Sequence, residues 1–115
     1  VVDDSIVRGT TIRTRVAKLR TMGARSVHFR VSSPPVKHPC FYGIDFPSAS
    51  ELIATQYEPA QMAAMLGLDS LHYISLRGLL ASVSHPDHYC TACFTGDYPT
   101  VTPAVTGKML LEGKQ

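Results

Sequence analysis

The chain has 115 residues, of which 44% are hydrophobic and 17% charged, and its formal net charge is +2. This length predicts one compact domain, and the hydrophobic fraction excludes a disordered tail. No apolar run approaches the ~20 residues of a membrane-spanning helix, and the charge is too small to predict nucleic-acid binding by electrostatics.

The start of the chain predicts a strand, a loop and a helix. Residues 1–2 are the expected end of a buried strand, and residues 3–9 form the expected loop. Thr10 or Thr11 is the expected N-cap of a helix that continues to about Met22. The helix has an apolar stripe at i, i+4 and i+7, which comprises Ile12, Val16 and Leu19.

A second strand is predicted from about Arg25 to Ser32, because apolar and polar residues alternate there. Since a strand, a helix and a strand follow one another, we expect a βαβ unit with parallel strands and a right-handed crossover. Ser33 and the two prolines after it end the strand, and residues 36–47 are expected to be irregular.

The middle of the chain predicts four short elements. They are a helix over 51–55 capped by Ser48 or Ser50, a helix from Pro59 to Leu66 ended by Gly67, a strand over 71–75 and a helix over 76–83. A proline in the first turn and a glycine after the last turn are typical of helix boundaries, which supports the second helix.

The chain divides by composition into two parts. Residues 1–83 carry the predicted sheet and its helices, and we assign them to one partial α/β domain. Residues 84–115 are turn-rich and contain two of the three cysteines, so we predict that they are a C-terminal extension rather than an independent domain.

Asp3 and Asp4 follow the first predicted strand directly, at its carboxyl end. Proteins with open α/β sheets bind ligands at the carboxyl ends of their parallel strands. The loop then leads to a helix N-terminus, whose free N–H groups attract phosphate, and Gly9 would let the backbone approach that phosphate closely. Arg8 and two threonines add a cation and hydroxyl donors. This combination favours a sugar phosphate as the ligand, with the acids binding hydroxyls or Mg²⁺.

Two other interpretations of the acidic pair are open at this point. One is an ordinary strand-to-helix turn in which an aspartate caps the helix. The other is a receiver domain of two-component signalling, where acidic pairs also occur near strand ends. In receiver domains, however, no phosphate-binding Ser/Thr-Gly loop follows the pair directly.

Residues 1–11 resemble the signature of type I phosphoribosyltransferases, which bind phosphoribosyl pyrophosphate (PRPP). The sequence VDDSIVRGTT resembles, more specifically, the amidophosphoribosyltransferase family. Further segments support this resemblance, at residues 32–35, 38–45, 51–54 and 90–99. It implies an α/β fold: the C-terminal part of a type I phosphoribosyltransferase parallel sheet, with a helical and irregular cysteine-bearing extension.

The resemblance implies a reaction and a binding site. In the family, PRPP and glutamine-derived ammonia give 5-phosphoribosylamine and pyrophosphate, the first step of purine biosynthesis. Asp3 and Asp4 would bind the ribose hydroxyls and a Mg²⁺ site. The residues that would hold the 5-phosphate are Ser5, Ile6, Val7, Arg8, Gly9, Thr10 and Thr11.

Three cysteines, Cys40, Cys90 and Cys93, favour metal or cluster ligation in a reducing, cytoplasmic setting over a disulfide framework. The last two form a C-x-x-C motif, whose thiolates can reach one centre. A zinc site completed by His38 or His88 is an alternative, and so are three free thiols. The resemblance implies a [4Fe–4S] cluster held by the three cysteines and by a fourth ligand outside this chain.

The resemblance also implies partners. In the family an amino-terminal glutaminase domain, which this chain does not contain, supplies the ammonia. The family's pyrophosphate-binding loop and flexible lid also lie upstream of these residues, so the isolated chain is expected to be inactive. The complete enzyme is expected to be a cytoplasmic homo-oligomer. A pyrimidine-type transferase or a regulator with the same fold is the alternative, and the cysteine pattern argues against it.

Overall fold

The computed structural model describes residues 1–44 and 48–102. Three strands and five α-helices lie in these ranges. In chain order they are β1 (Val2–Asp3), α1 (Thr10–Thr21), β2 (His28–Val31), α2 (Ile53–Gln56), α3 (Pro59–Leu66), β3 (Ser70–Tyr73), α4 (Leu76–Ala81) and α5 (Ala92–Thr95). Two 3₁₀ turns, at Ala49–Glu51 and Pro86–His88, complete the description.

The strands form one parallel sheet in the order β1-β2-β3. Val2 pairs with Arg30, and His28 pairs with Ser70. The predicted βαβ unit is therefore confirmed, because α1 connects two adjacent parallel strands. Its geometry brings the carboxyl ends of the three strands to one edge of the sheet.

One face of the sheet packs against helices and forms the core. In β2 the buried residues Phe29 and Val31 alternate with the exposed His28 and Arg30, as the sequence pattern predicts. Residues of α1 and α3 cover the buried face. The core cluster comprises Ile6, Ile12, Val16, Val27, Phe29, Val31, Ile53, Met62, Leu66, Leu68 and Leu71.

The prediction that residues 1–2 end a buried strand is wrong in one respect. They do belong to strand pairing, but the relative exposures of Val1 and Val2 are 51% and 75%. In the parallel register Val2 lies beside Arg30, on the face of the sheet opposite the core. No helix of the described residues buries that face at this position.

The start of α1 also differs from the prediction. The N-cap is Gly9, in the left-handed conformation with φ 80°, and no side chain caps the helix. Neither threonine can be the N-cap, because both Thr10 and Thr11 already have helical geometry. The helix ends at Thr21, one residue earlier than the sequence predicts.

The shorter elements follow the sequence closely. The helix from Pro59 to Leu66, with its C-cap at Gly67, is confirmed. The helix predicted over 51–55 is a 3₁₀ turn followed by α2, the third strand begins at Ser70, and α4 ends at Ala81. None of the helices in the described residues is long and apolar enough to cross a membrane.

Candidate functional site

A cavity of about 390 Å³ opens between the end of β1 and the start of α1. Residues 3–12 and Arg15 line it. All nine residues that the sequence assigns to ligand binding, Asp3 to Thr11, therefore lie around one space. The cavity can accommodate a ligand of sugar-phosphate size.

The residues that line this cavity leave backbone N–H groups available as donors. Within the part of the chain that the structure describes, the N–H groups of residues 5–12 donate no hydrogen bond to another residue. The first helical bond across the N-terminus of α1 runs from the N–H of Arg13 to the carbonyl of Gly9, at 3.1 Å. Free amides and the positive end of the helix dipole together favour an anion.

Apolar packing against the core and one backbone hydrogen bond hold the loop in place. Ile6 is only 1% exposed and belongs to the core. The N–H of Ile53 donates to the carbonyl of Val7 at 2.9 Å, which ties the loop to α2. Ile6 can therefore serve a ligand only through its backbone, since its side chain lies in the core.

The packing and the backbone conformation of Gly9 both favour glycine at this position. A Cβ on this residue would lie 3.1 Å from Ile53 Cδ1 and 3.2 Å from Leu66 Cδ2, on the core side of the loop. Its φ of 80° is also one that L-residues rarely adopt. Core packing and backbone conformation thus favour glycine here, in addition to the close approach to a phosphate that the sequence predicts.

The two carboxylates of the acidic pair have different surroundings. Asp3 accepts at both oxygens: Oδ1 from the N–H of Asp4 at 3.1 Å, and Oδ2 from the guanidinium of Arg15 at 3.0 Å. Asp4 is exposed, and among the described residues its Oδ1 accepts the hydroxyl of Ser5, at 2.9 Å. Asp4 thus has more free acceptor capacity towards the cavity than Asp3.

Two charged partners of the loop are not predicted from the sequence. Arg15 pairs with Asp3, and Glu51 pairs with Arg8 at 3.3 Å. The Ser48 hydroxyl, and next Arg8, lower the pKa of the Glu51 carboxyl, although burial opposes this. Arg15 lies in the second turn of the predicted helix, so the helix itself could have indicated that Arg15 is near the loop. Glu51 is far away in the sequence, and the tertiary fold brings it to Arg8.

The C-x-x-C motif of Cys90 and Cys93 packs against the segment that follows β2 and contains Cys40. The N–H groups of Lys37 and His38 both donate to the carbonyl of Cys93, at 3.0 and 3.1 Å. Tyr98 donates its hydroxyl to the carbonyl of Pro39 at 2.7 Å. These contacts bring the C-x-x-C turn to the neighbourhood of Cys40.

The pKa of the Cys93 thiol responds to its surroundings. Burial, and next the neighbouring Cys40, raise the pKa of the Cys93 thiol, with a smaller effect from Cys90. Cys40 and Cys93 are partly buried and Cys90 is exposed. The N–H of Tyr42 donates to the sulfur of Cys40 at 3.4 Å, a contact of the kind that tunes thiolate ligands.

The histidines of the zinc alternative lie in other contacts. His38 packs against Gly96, while His88 stacks on His85 with ring centroids 5.1 Å apart. Among the described residues, no group of three His, Cys, Asp or Glu side chains is close enough to hold a single metal ion. The Cys₃His zinc site therefore gains no support from the geometry.

The parallel sheet and its helices match the phosphoribosyltransferase fold of two solved structures. One, described as the allosteric regulatory enzyme of purine biosynthesis, matches 87% of this chain with a TM-score of 0.78 and 48% identity. The other, glutamine PRPP amidotransferase from Bacillus subtilis complexed with ADP and GMP, matches 92% with a TM-score of 0.81 and 46% identity.

Curated relatives identify the particular family. Amidophosphoribosyltransferases from Synechocystis and Mycobacterium tuberculosis are 50% and 52% identical to this chain over 97% of its length. The amidophosphoribosyltransferase of Bacillus subtilis is 49% identical over 87% of the chain. No family model matches the chain.

The chain spans 23% of the length of the Synechocystis and Mycobacterium tuberculosis relatives, and 23–24% of the two solved chains. Over that portion, it belongs to the amidophosphoribosyltransferase family. The resemblance noted in residues 1–11 is therefore confirmed.

Proposed function

We propose that this chain supplies the ribose- and 5-phosphate-binding part of an amidophosphoribosyltransferase. The whole protein would make 5-phosphoribosylamine and pyrophosphate from PRPP and ammonia. The observation that carries this proposal is the cavity of about 390 Å³ lined by residues 3–12, with its row of unpaired amides at the N-terminus of α1. Family membership supports the same assignment.

The amides of residues 5–11, with the hydroxyls of Thr10 and Thr11, would donate to the oxygens of the 5-phosphate. The helix dipole of α1 would add a favourable potential there. The anchoring of Ile6 in the core and of Val7 to α2 fixes these donors before the ligand arrives. A preorganised cradle loses little entropy on binding, which strengthens the interaction.

The carboxylates would bind the ribose hydroxyls and a Mg²⁺ ion. Asp3 and Asp4 fit this ion, since carboxylate oxygens are the ligands that it prefers and since Mg²⁺ usually keeps several waters and substrate oxygens. When bound, the ion would neutralise charge on the departing pyrophosphate. Asp4, which has free acceptor capacity, would bear more of this role than Asp3.

The test is the rate of pyrophosphate release from PRPP with ammonia in the full-length protein. An Asp4→Asn variant should lower kcat/KM by about 10- to 100-fold, because a hydrogen bond to a charged group is worth about 1.5–3 kcal/mol. Asp87→Asn is the matched control, since Asp87 is an exposed aspartate that lies outside the cavity and pairs with His88. Equal rates for both variants would contradict the proposal.

We propose also that Cys40, Cys90 and Cys93 hold three corners of a [4Fe–4S] cluster, whose fourth ligand lies outside this chain. The carbonyl of Cys93 accepts from the N–H groups of Lys37 and His38, close to Cys40 in sequence, and both other cysteines raise the pKa of the Cys93 thiol, which supports a shared centre. The cysteine sulfurs around a [4Fe–4S] cluster are farther apart than the ligand atoms around a single metal ion. The cluster is therefore compatible with the lack of a single-ion site among the described residues. The cluster would be structural.

Iron and acid-labile sulfide in the anaerobically purified full-length protein would test the cluster. We expect both, with broad absorbance near ~400 nm, and expect Cys90→Ser to reduce them together with stability. Stoichiometric zinc without iron would overturn the cluster and restore the zinc site. The remaining parts of the proposal are a glutaminase domain elsewhere in the protein, a homo-oligomeric state and a cytoplasmic location.

A further inference from the structure

Arg15 lines the same cavity as the acidic pair and forms an ion pair with Asp3. Its guanidinium lies 3.0 Å from Asp3 Oδ2, and its side chain is 56% exposed while that of Asp3 is 27% exposed. The two side chains come from different elements, the second turn of α1 and the end of β1. Both line the cavity that we assign to PRPP.

This ion pair places a positive charge directly on one oxygen of Asp3. Its Oδ2 is taken by Arg15 and its Oδ1 by the N–H of Asp4. A divalent cation that enters the site alone must therefore compete with the guanidinium. One of the two carboxylate charges is already neutralised, which weakens the attraction of the pair for a free cation.

We propose that Arg15 is a positioning residue that holds Asp3 and makes cation binding at the acidic pair dependent on PRPP. This inference rests on the proposed function. The phosphates of PRPP bring additional oxygen ligands and negative charge, so a cation bound with PRPP outweighs the competition from Arg15. A cation without PRPP has only the remaining charge of Asp4 to attract it.

The neighbouring Arg13 provides a matched control. It lies on the same helix, is exposed, and lines the groove between α1 and α3 instead of the acidic cavity. Arg15→Gln and Arg13→Gln remove the same charge at two positions of one helix. Arg15→Lys keeps the charge and loses the fork of the guanidinium.

The experiment measures Mn²⁺ binding to the full-length protein by electron paramagnetic resonance, with and without PRPP. Without PRPP, Arg15→Gln should bind Mn²⁺ about fivefold more tightly than Arg13→Gln, since a partly exposed ion pair is worth up to about that factor. Arg15→Lys should bind Mn²⁺ as weakly as the wild type. PRPP should tighten Mn²⁺ binding less in Arg15→Gln than in the wild type.

The outcomes separate this inference from the function on which it rests. If Arg15→Gln binds PRPP-free Mn²⁺ no more tightly than Arg13→Gln, including no measurable binding in either, the role of Arg15 is contradicted. If PRPP tightens Mn²⁺ binding in none of the proteins, the proposed PRPP site fails instead. Circular dichroism of each variant confirms that the fold is retained.

Discussion

Gly9 joins the candidate site to the core, so its replacement tests the geometry of the loop. A Gly9→Ala variant must place an L-residue at φ 80° and a Cβ 3.1 Å from Ile53 Cδ1 and 3.2 Å from Leu66 Cδ2. The left-handed conformation costs about 1–2 kcal/mol for an L-residue. Displacing two packed side chains adds about 1 kcal/mol or more.

Gly23 is the matched control, because it has a similar φ of 95° and open space where a Cβ would lie. Gly23→Ala should therefore cost the conformational part alone, about 1–2 kcal/mol. We expect the Gly9→Ala variant of the full-length protein to lose about 1 kcal/mol more than Gly23→Ala in urea unfolding. Equal losses would refute the position that the structure gives to residue 9.

Three further predictions concern groups whose pKa is shifted. The Val27 N–H, and next Arg20, lower the pKa of the Asp69 carboxyl from 3.8. The ionised carboxyl therefore stabilises the fold above pH 3.8, and this stabilisation is lost as the pH falls through the lowered pKa of the folded protein. Thermal unfolding of Asp69→Asn should accordingly show less acid dependence than the wild type. Removing the Ser48 hydroxyl in Ser48→Ala should raise the pKa of Glu51 towards 4.5, which carbon-13 NMR titration would detect, and an unchanged titration would contradict the capping contact. Burial raises the pKa of Tyr73 to about 12, so ultraviolet titration of Tyr73→Phe should lack the latest-ionising tyrosine; a loss among the early ones would contradict its burial.

The elements with strong local signals could be predicted from the sequence. In α3 a proline in the first turn and Gly67 after the last fixed both ends, and the alternation in β2 identified its buried face. The run from Asp3 to Thr11 was assigned to one ligand site, and the structure gathers it around one cavity. These features depend on residues that are close together in the sequence, so local sequence patterns predict them.

The features that could not be predicted depend on tertiary contacts. Glu51 reaches Arg8 only because α2 docks on the loop, and Val2 is exposed because the face that it shares with Arg30 lies away from the core. The N-cap was misassigned because threonine preferences describe capping side chains, whereas Gly9 starts α1 through its backbone conformation. A positive φ leaves no signature beyond the glycine itself.

The central claim is that the free amides between β1 and α1 bind the 5-phosphate of PRPP. Hydrogen–deuterium exchange of the full-length protein, with and without PRPP and Mg²⁺, tests this claim directly, since a bound phosphate must engage those N–H groups. We predict strong protection of residues 5–12 when PRPP is bound and unchanged exchange in α4, which lies outside the cavity. Binding of PRPP without protection of residues 5–12 would contradict the account.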